Sequence, residues 1–134
     1  MSLLFTQEWN VVRGLEDEYA KFTSDSLIPR CNKLGLISVG GFYVQSGCGP
    51  QIISIKSIGS LEKLFKVLAD DEFKAIKNDL KQFVSHYGSK ILVQNRKMGP
   101  ETYSIQKGVW KFNQLFDIRA GKREGYDKFM TDEF

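Results

Sequence analysis

FTQEWNVVRGLEDEYAKFTSDSL (residues 5–27) decides the reading of this chain, because it recurs. Residues 112–134, FNQLFDIRAGKREGYDKFMTDEF, align with it without a gap. Phe5/Phe112, Gln7/Gln114, Gly14/Gly121, Tyr19/Tyr126, Lys21/Lys128, Phe22/Phe129 and Asp25/Asp132 are identical pairs, and Trp9/Phe116, Asn10/Asp117, Val11/Ile118 and Asp17/Glu124 are conservative ones. Self-similarity of this kind reports architecture before chemistry. Within the first copy, Phe5, Gln7, Trp9 and Val11 alternate with Glu8, Asn10 and Val12, the period of a strand. Gly14 ends that strand. Glu16, Asp17 and Glu18 then place negative charge in a first helical turn, where the helix dipole favours it, and Tyr19, Phe22 and Leu27 form the helix's apolar side. The repeated unit is a strand followed by a helix.

Outward from that unit, Pro29 is expected to kink or end the helix, and Gly35 is a natural C-cap. Residues 36–45 read as a second strand, with Gly40 and Gly41 marking a bulge or a close backbone approach. Ser46, Gly47, Cys48, Gly49 and Pro50 are turn chemistry. Residues 51–58 read as a third strand, with Ile53 and Ile55 on one face and Ile52 and Ile58 on the other. Ser60 caps a helix carrying Leu61, Leu64, Phe65 and Leu68, and Asp70 caps the next. Phe73, Ile76, Leu80, Phe83, Val84 and Tyr87 form an amphipathic stripe predicted to be one helix, closed by Gly88. Residues 90–94 read as a fourth strand. The order is β-α-β-β-α-β, the ferredoxin-like topology: an α+β fold whose antiparallel four-stranded sheet has helices on one face. Apolar residues fall on both faces of the strands, so the second face needs a cover, which packing of two sheets would supply. The expected division is a ferredoxin-like domain over residues 1–107 and a partial second domain over residues 108–134, an extra C-terminal strand and helix repeating residues 5–27. Its strand, residues 109–118, would need a partner edge.

Composition narrows the function classes. The 134 residues, 42% hydrophobic and 26% charged, suit one soluble domain with its own core. The net charge of +3, from 19 basic and 16 acidic residues scattered together, argues against a nucleic-acid partner. No apolar run approaches the ~18 residues of a membrane helix, and the N-terminal residues lack the pattern of a signal peptide. Cys31 and Cys48 have no metal spacing and read as reduced thiols of a cytoplasmic protein. His86 is the one histidine, which excludes sites needing two, and no metal is expected.

Several segments together resemble the dimeric α+β barrel superfamily, and within it the NIPSNAP-type domains. They are the strand over residues 9–14 followed by Glu18, Tyr19, Ala20, Lys21 and Phe22; Leu27, Ile28 and Pro29; the turn and strand over residues 35–41; Ser60, Leu61 and Glu62; and Asp70, Asp71, Glu72, Phe73 and Lys74. The resemblance spans residues 5–95. It implies sheet-to-sheet packing of two such units, as a homodimer or as tandem repeats in one chain, the homodimer being expected here, and a pocket between sheet and helices for a small apolar ligand, or else a structural, oligomerising role. The alternative it offers is a cofactor-independent monooxygenase or isomerase of the antibiotic-biosynthesis-monooxygenase type. Haem-degrading relatives resemble the chain around residues 71–75 and carry an iron-ligating histidine shortly afterwards. Here Ile76, Lys77, Asn78, Asp79 and Leu80 follow, so no cofactor is expected.

Candidate site residues follow from position. Asn10, Tyr19 and His86 are the candidate catalytic groups: a strand amide that needs partners if buried, a phenol able to orient a ligand oxygen, and a base of ordinary type at neutral pH, expected near a helix end. Trp9, Asn10, Tyr19, Phe22 and Phe73 are the candidate ligand contacts. Since strand residues alternate in direction, only one of Trp9 and Asn10 can face the helices. Aromatic core packing is the competing account of Trp9, Tyr19 and Phe22.

Overall fold

In the computed structural model, residues 3–93, 119–125 and 128 are described. Over residues 3–93, four strands and four α-helices follow in the order β1 (Leu3–Val11), α1 (Glu16–Phe22), α2 (Ile28–Lys33), β2 (Ile37–Tyr43), β3 (Ile52–Ile58), α3 (Leu61–Ala69), α4 (Asp71–Leu80) and β4 (Val84–Val93). The sheet order is β2-β3-β1-β4 with every neighbouring pair antiparallel. This is the expected ferredoxin-like α+β arrangement, with the two crossovers carrying the helices.

Local chemistry explains the elements. Gly14 has φ +92°, which an L side chain resists, and the turn it makes closes with a Leu15 N–H bond to the Val12 carbonyl at 3.0 Å. The turn at Gly121 (φ +79°) closes in the same way, Lys122 N–H to the Arg119 carbonyl at 3.0 Å. The predicted C-terminal strand over residues 109–118, and most of the helix expected after Gly121, lie outside the described residues. Pro29 does not end the first crossover helix. A π-helical segment, Thr23–Leu27, links α1 to α2 just before it. A proline ring clashes with the carbonyl four residues back, here Asp25 within the widened segment. Ser60 caps α3 by accepting from Lys63 N–H at 3.2 Å, and Asp70 caps α4 by accepting from Glu72 N–H at 2.7 Å. Arg30 reaches from α2 to α4, donating to Glu72 and Asp79 at 2.8 Å each.

The fourth strand corrects the sequence reading. The helix predicted across residues 73–87 stops at Leu80, and Phe83, Val84 and Tyr87 belong to a turn and to β4, which begins six residues before the expected Lys90. Their spacing continues that of Phe73, Ile76 and Leu80 by coincidence. Pairing decides the outcome: Val11 faces Val84, Asn10 faces Ser85, and Val12 N–H donates to the Phe83 carbonyl at 2.8 Å. His86 therefore sits on a strand rather than at a helix end. It takes φ +56° where the β1–β4 register shifts beside Trp9, the conformation a bulge demands.

Helices α1–α4 pack on one face. Phe5 and Trp9 of β1, Ile58 of β3, Leu27, Cys31, Leu64, Val67, Phe73, Ile76 and Leu80 of the crossovers, and Val84 form one buried cluster. Phe5 meets Phe73 edge-on at 6.1 Å between ring centroids, and Phe22 packs on Phe83 at 5.2 Å.

Candidate functional site

The site is a polar chain buried in the helix-covered face. Cross-strand partners share a face, so Gln7, opposite Ser54 and Ser89, points under the helices, as does Lys56 opposite Phe5. Lys56 is 1% exposed. Its Nζ donates to Gln7 Oε1 at 2.8 Å and to Ser54 Oγ at 2.7 Å. Gln7 then donates through Nε2 to the Tyr87 hydroxyl at 2.7 Å. An ammonium has only donors, so Lys56 fixes which end of the Gln7 amide faces it, and thereby what Tyr87 receives.

Aromatic rings continue the chain. Tyr87 lies parallel to Trp9, with centroids 6.2 Å apart and planes 6° from parallel, and Lys77 Nζ stands 4.7 Å over the Tyr87 ring. Trp9, 1% exposed, donates through Nε1 to the Tyr19 hydroxyl at 2.9 Å. The indole thus has its polar edge satisfied, as buried tryptophan requires.

Electrostatics follow burial. Desolvation pulls the Lys56 ammonium below its ordinary value, against a raising influence from nearby Cys31. Cys31, fully buried, is pushed up by desolvation, with Lys56 and Arg30 opposing. Desolvation also raises the Tyr87 phenol, against its bond from Gln7. At neutral pH the region therefore holds a neutral thiol, a neutral phenol and a lysine whose charge is costly.

Of the candidates named from sequence, Trp9 and Tyr19 are brought together by a direct hydrogen bond. Phe22 and Phe73 line the same side, Phe73 buried and Phe22 packed against the cluster. Asn10 is on the opposite side of β1 from Trp9 and accepts from Gln51 N–H at 2.8 Å, pinning the strand end. His86 is exposed, its Nδ1 3.1 Å from Ser85 Oγ. Asn10, Tyr19 and His86 do not converge. The sequence reading passed over Lys56, Gln7, Tyr87 and Cys31 as site groups. Alternation contains the signal for two of them: Ile52 and Ile58 share a face, and Lys56 falls between them at the same parity, as Gln7 falls between Phe5 and Trp9. Among the described residues, no group of three or more His, Cys, Asp and Glu side chains is placed to hold a metal ion.

No family model matches the sequence. Among curated proteins, phosphoenolpyruvate carboxylase of Metallosphaera sedula is 26% identical over 108 residues, 78% of this chain and 20% of that enzyme, so the chain spans a fifth of the length of the relative it matches. Solved structures compare over more of their length. A NIPSNAP family protein of Agrobacterium tumefaciens superposes with TM-score 0.55 at 21% identity, covering 72% of this chain and 95% of that one. SnoaB, a cofactor-independent oxygenase of Streptomyces nogalater, does so with TM-score 0.52 at 11% identity, covering 71% and 94%. With the sheet order and crossovers above, these likenesses show that the chain shares the ferredoxin-like α+β fold of the NIPSNAP proteins and SnoaB.

Proposed function

We propose that this chain is a dimerising α+β barrel domain that joins a second copy of itself sheet to sheet. The carrying observation is the face of the sheet opposite α1–α4. There Ile37, Ser57, Leu4 and Leu92 form one cross-strand row, Gly40, Ile55, Thr6 and Lys90 the next, and Phe42, Ile53, Glu8 and Gly88 the third. Leu4 and Ile55, on central strands, are already buried, while Ile37 and Leu92, on the two edge strands, are 48% and 43% exposed. The first of these rows, apolar except for Ser57, suits aligned packing against another sheet. The strand-helix unit of residues 108–134 is read as an addition that serves the same assembly.

A small apolar ligand between sheet and helices is less favoured, because Trp9, Phe73 and Leu80 fill that space with their own side chains. The cofactor-independent oxygenase or isomerase reading draws on the likeness to SnoaB and on the half-buried Tyr19 hydroxyl. It requires a second polar group beside Tyr19 in one cavity, and Asn10 and His86 lie elsewhere. The unpaired cysteines, Cys31 buried and Cys48 exposed, fit the reducing cytoplasm. No described helix is long and apolar enough to cross a membrane.

The test is light scattering on the double substitution Ile37→Lys with Leu92→Lys. Each loses an apolar contact worth about 1–3 kcal/mol, so the dimer should weaken by about a hundredfold or more while the circular dichroism spectrum stays native. A dimer of unchanged affinity would refute the sheet-to-sheet reading.

A further inference from the structure

Beside Lys56 lies a row with no apolar side chain. Gly41, Ser54, Gln7 and Ser89 stand side by side across β2, β3, β1 and β4, all on the helix-facing side. At its centre the row is closed, with Gln7 buried. At its β2 end it is open. A Cβ added at Gly41 would meet nothing within 4 Å, and Ser54 beside it is only half-buried. Two residues along β2, and so on the same face, Tyr43 is 64% exposed. The open space over Gly41 thus borders Ser54, its cross-strand partner, whose Oγ accepts from Lys56 Nζ.

Lys56 is incompletely matched. Its two hydrogen bonds go to neutral oxygens, Gln7 Oε1 and Ser54 Oγ. Among the described residues, the carboxylates in ion pairs serve Arg30 and Lys66, and none serves Lys56. An ammonium offers three N–H donors, so one is left over. A buried cation with only neutral partners is costly, and an anion placed against it offsets that cost. Ser54 Oγ accepts from Lys56 and keeps its own hydrogen to give.

The geometry points to a binding site for a small aromatic carboxylate: its oxygens on Lys56 Nζ and Ser54 Oγ, its ring over Gly41 and against Tyr43. Gly41 is then a residue of access, because any side chain there would occupy the ring's place. The site is built within one chain and does not depend on sheet-to-sheet pairing, so dimerisation and carboxylate binding fail separately.

Titration of the isotope-labelled full chain with sodium benzoate, against sodium chloride at matched ionic strength, tests this by amide NMR. Saturable shifts are expected at Gly41, Ser54, Gln7 and Lys56. Gly41→Val should keep the native spectrum, since valine suits a strand, and should weaken benzoate binding at least about tenfold. Lys56→Met should do the same where it folds. Absence of saturable shifts at these amides in the native chain would overturn the proposal. So would benzoate affinity unchanged in Gly41→Val, which does not depend on the lysine variant folding.

Discussion

The two faces of the one sheet are built on different terms. Under the helices, the centre of the sheet is closed by residues of the same chain, and buried polar groups there have partners: Lys56 with Gln7 and Ser54, Gln7 with Tyr87, Trp9 with Tyr19. On the other face, Ile37 and Leu92 stand exposed at the edges of a row whose centre, Leu4, is buried. The first face carries the fold's own stability and its unusual chemistry. The second carries apolar side chains that no helix among the described residues covers. A side chain removed from the first should be felt as lost folding energy, and one changed on the edge of the second as lost association.

The largest effect should come from the helix-covered face. Trp9→Ala removes the stacking partner of Tyr87 and the donor to Tyr19, and a large buried aromatic truncated to alanine costs about 3–5 kcal/mol. Urea denaturation measures it, and a loss below about 1 kcal/mol would break the contrast between the faces.

The next prediction is a pH dependence. Burial lowers the Lys56 pKa below its ordinary 10.5, so the unfolded chain takes up this proton more readily than the folded one. Between the two values the unfolded state holds more protons, and stability from this group rises with pH and falls as pH drops through the folded value. Lys56→Met removes that loss, so the variant should gain stability relative to the native chain as pH is lowered. Denaturation at a series of pH values falling from 10.5 reads it out. Cys31 and Tyr87, both raised from their ordinary 9.0 and 10.0, act with the opposite sign: the stability they add is full below those values and lost as pH rises through the folded ones.

A smaller effect sharpens the local side of the account. Ser60→Ala should cost about 1 kcal/mol through the lost bond to Lys63 N–H, on either side of any dimerisation. The smallest belongs to the open face. Ile37→Lys alone should alter the monomer's folding energy by no more than about 0.5 kcal/mol, measured under dilute conditions, because this side chain is half-exposed on an edge strand.

Much of the architecture was legible because it is local. Gly14 ending β1, Ser60 and Asp70 starting α3 and α4, and the turn around Gly47 each follow from one or two residues' conformational needs. The boundary of α4 was not, because Phe83, Val84 and Tyr87 satisfy helical and strand spacing equally well, and only pairing with Val11 and Asn10 across the sheet separates them. His86 was misplaced for the same reason. The candidate site was half legible. Aromatic residues on an alternating strand pointed to Trp9 and its neighbour Tyr19. Lys56 was missed because lysine is ordinarily a surface residue, and what keeps it inside is Gln7, which is 49 positions away and becomes a neighbour only when β1 pairs with β3.

The central claim is that the sheet face opposite α1–α4 is completed by a second copy of the chain, and native mass spectrometry at micromolar concentration tests it most directly. The account predicts a principal species at twice the 15.3 kDa chain mass, converted to monomer by the Ile37→Lys, Leu92→Lys pair. A native chain found only as monomer at that concentration would contradict it.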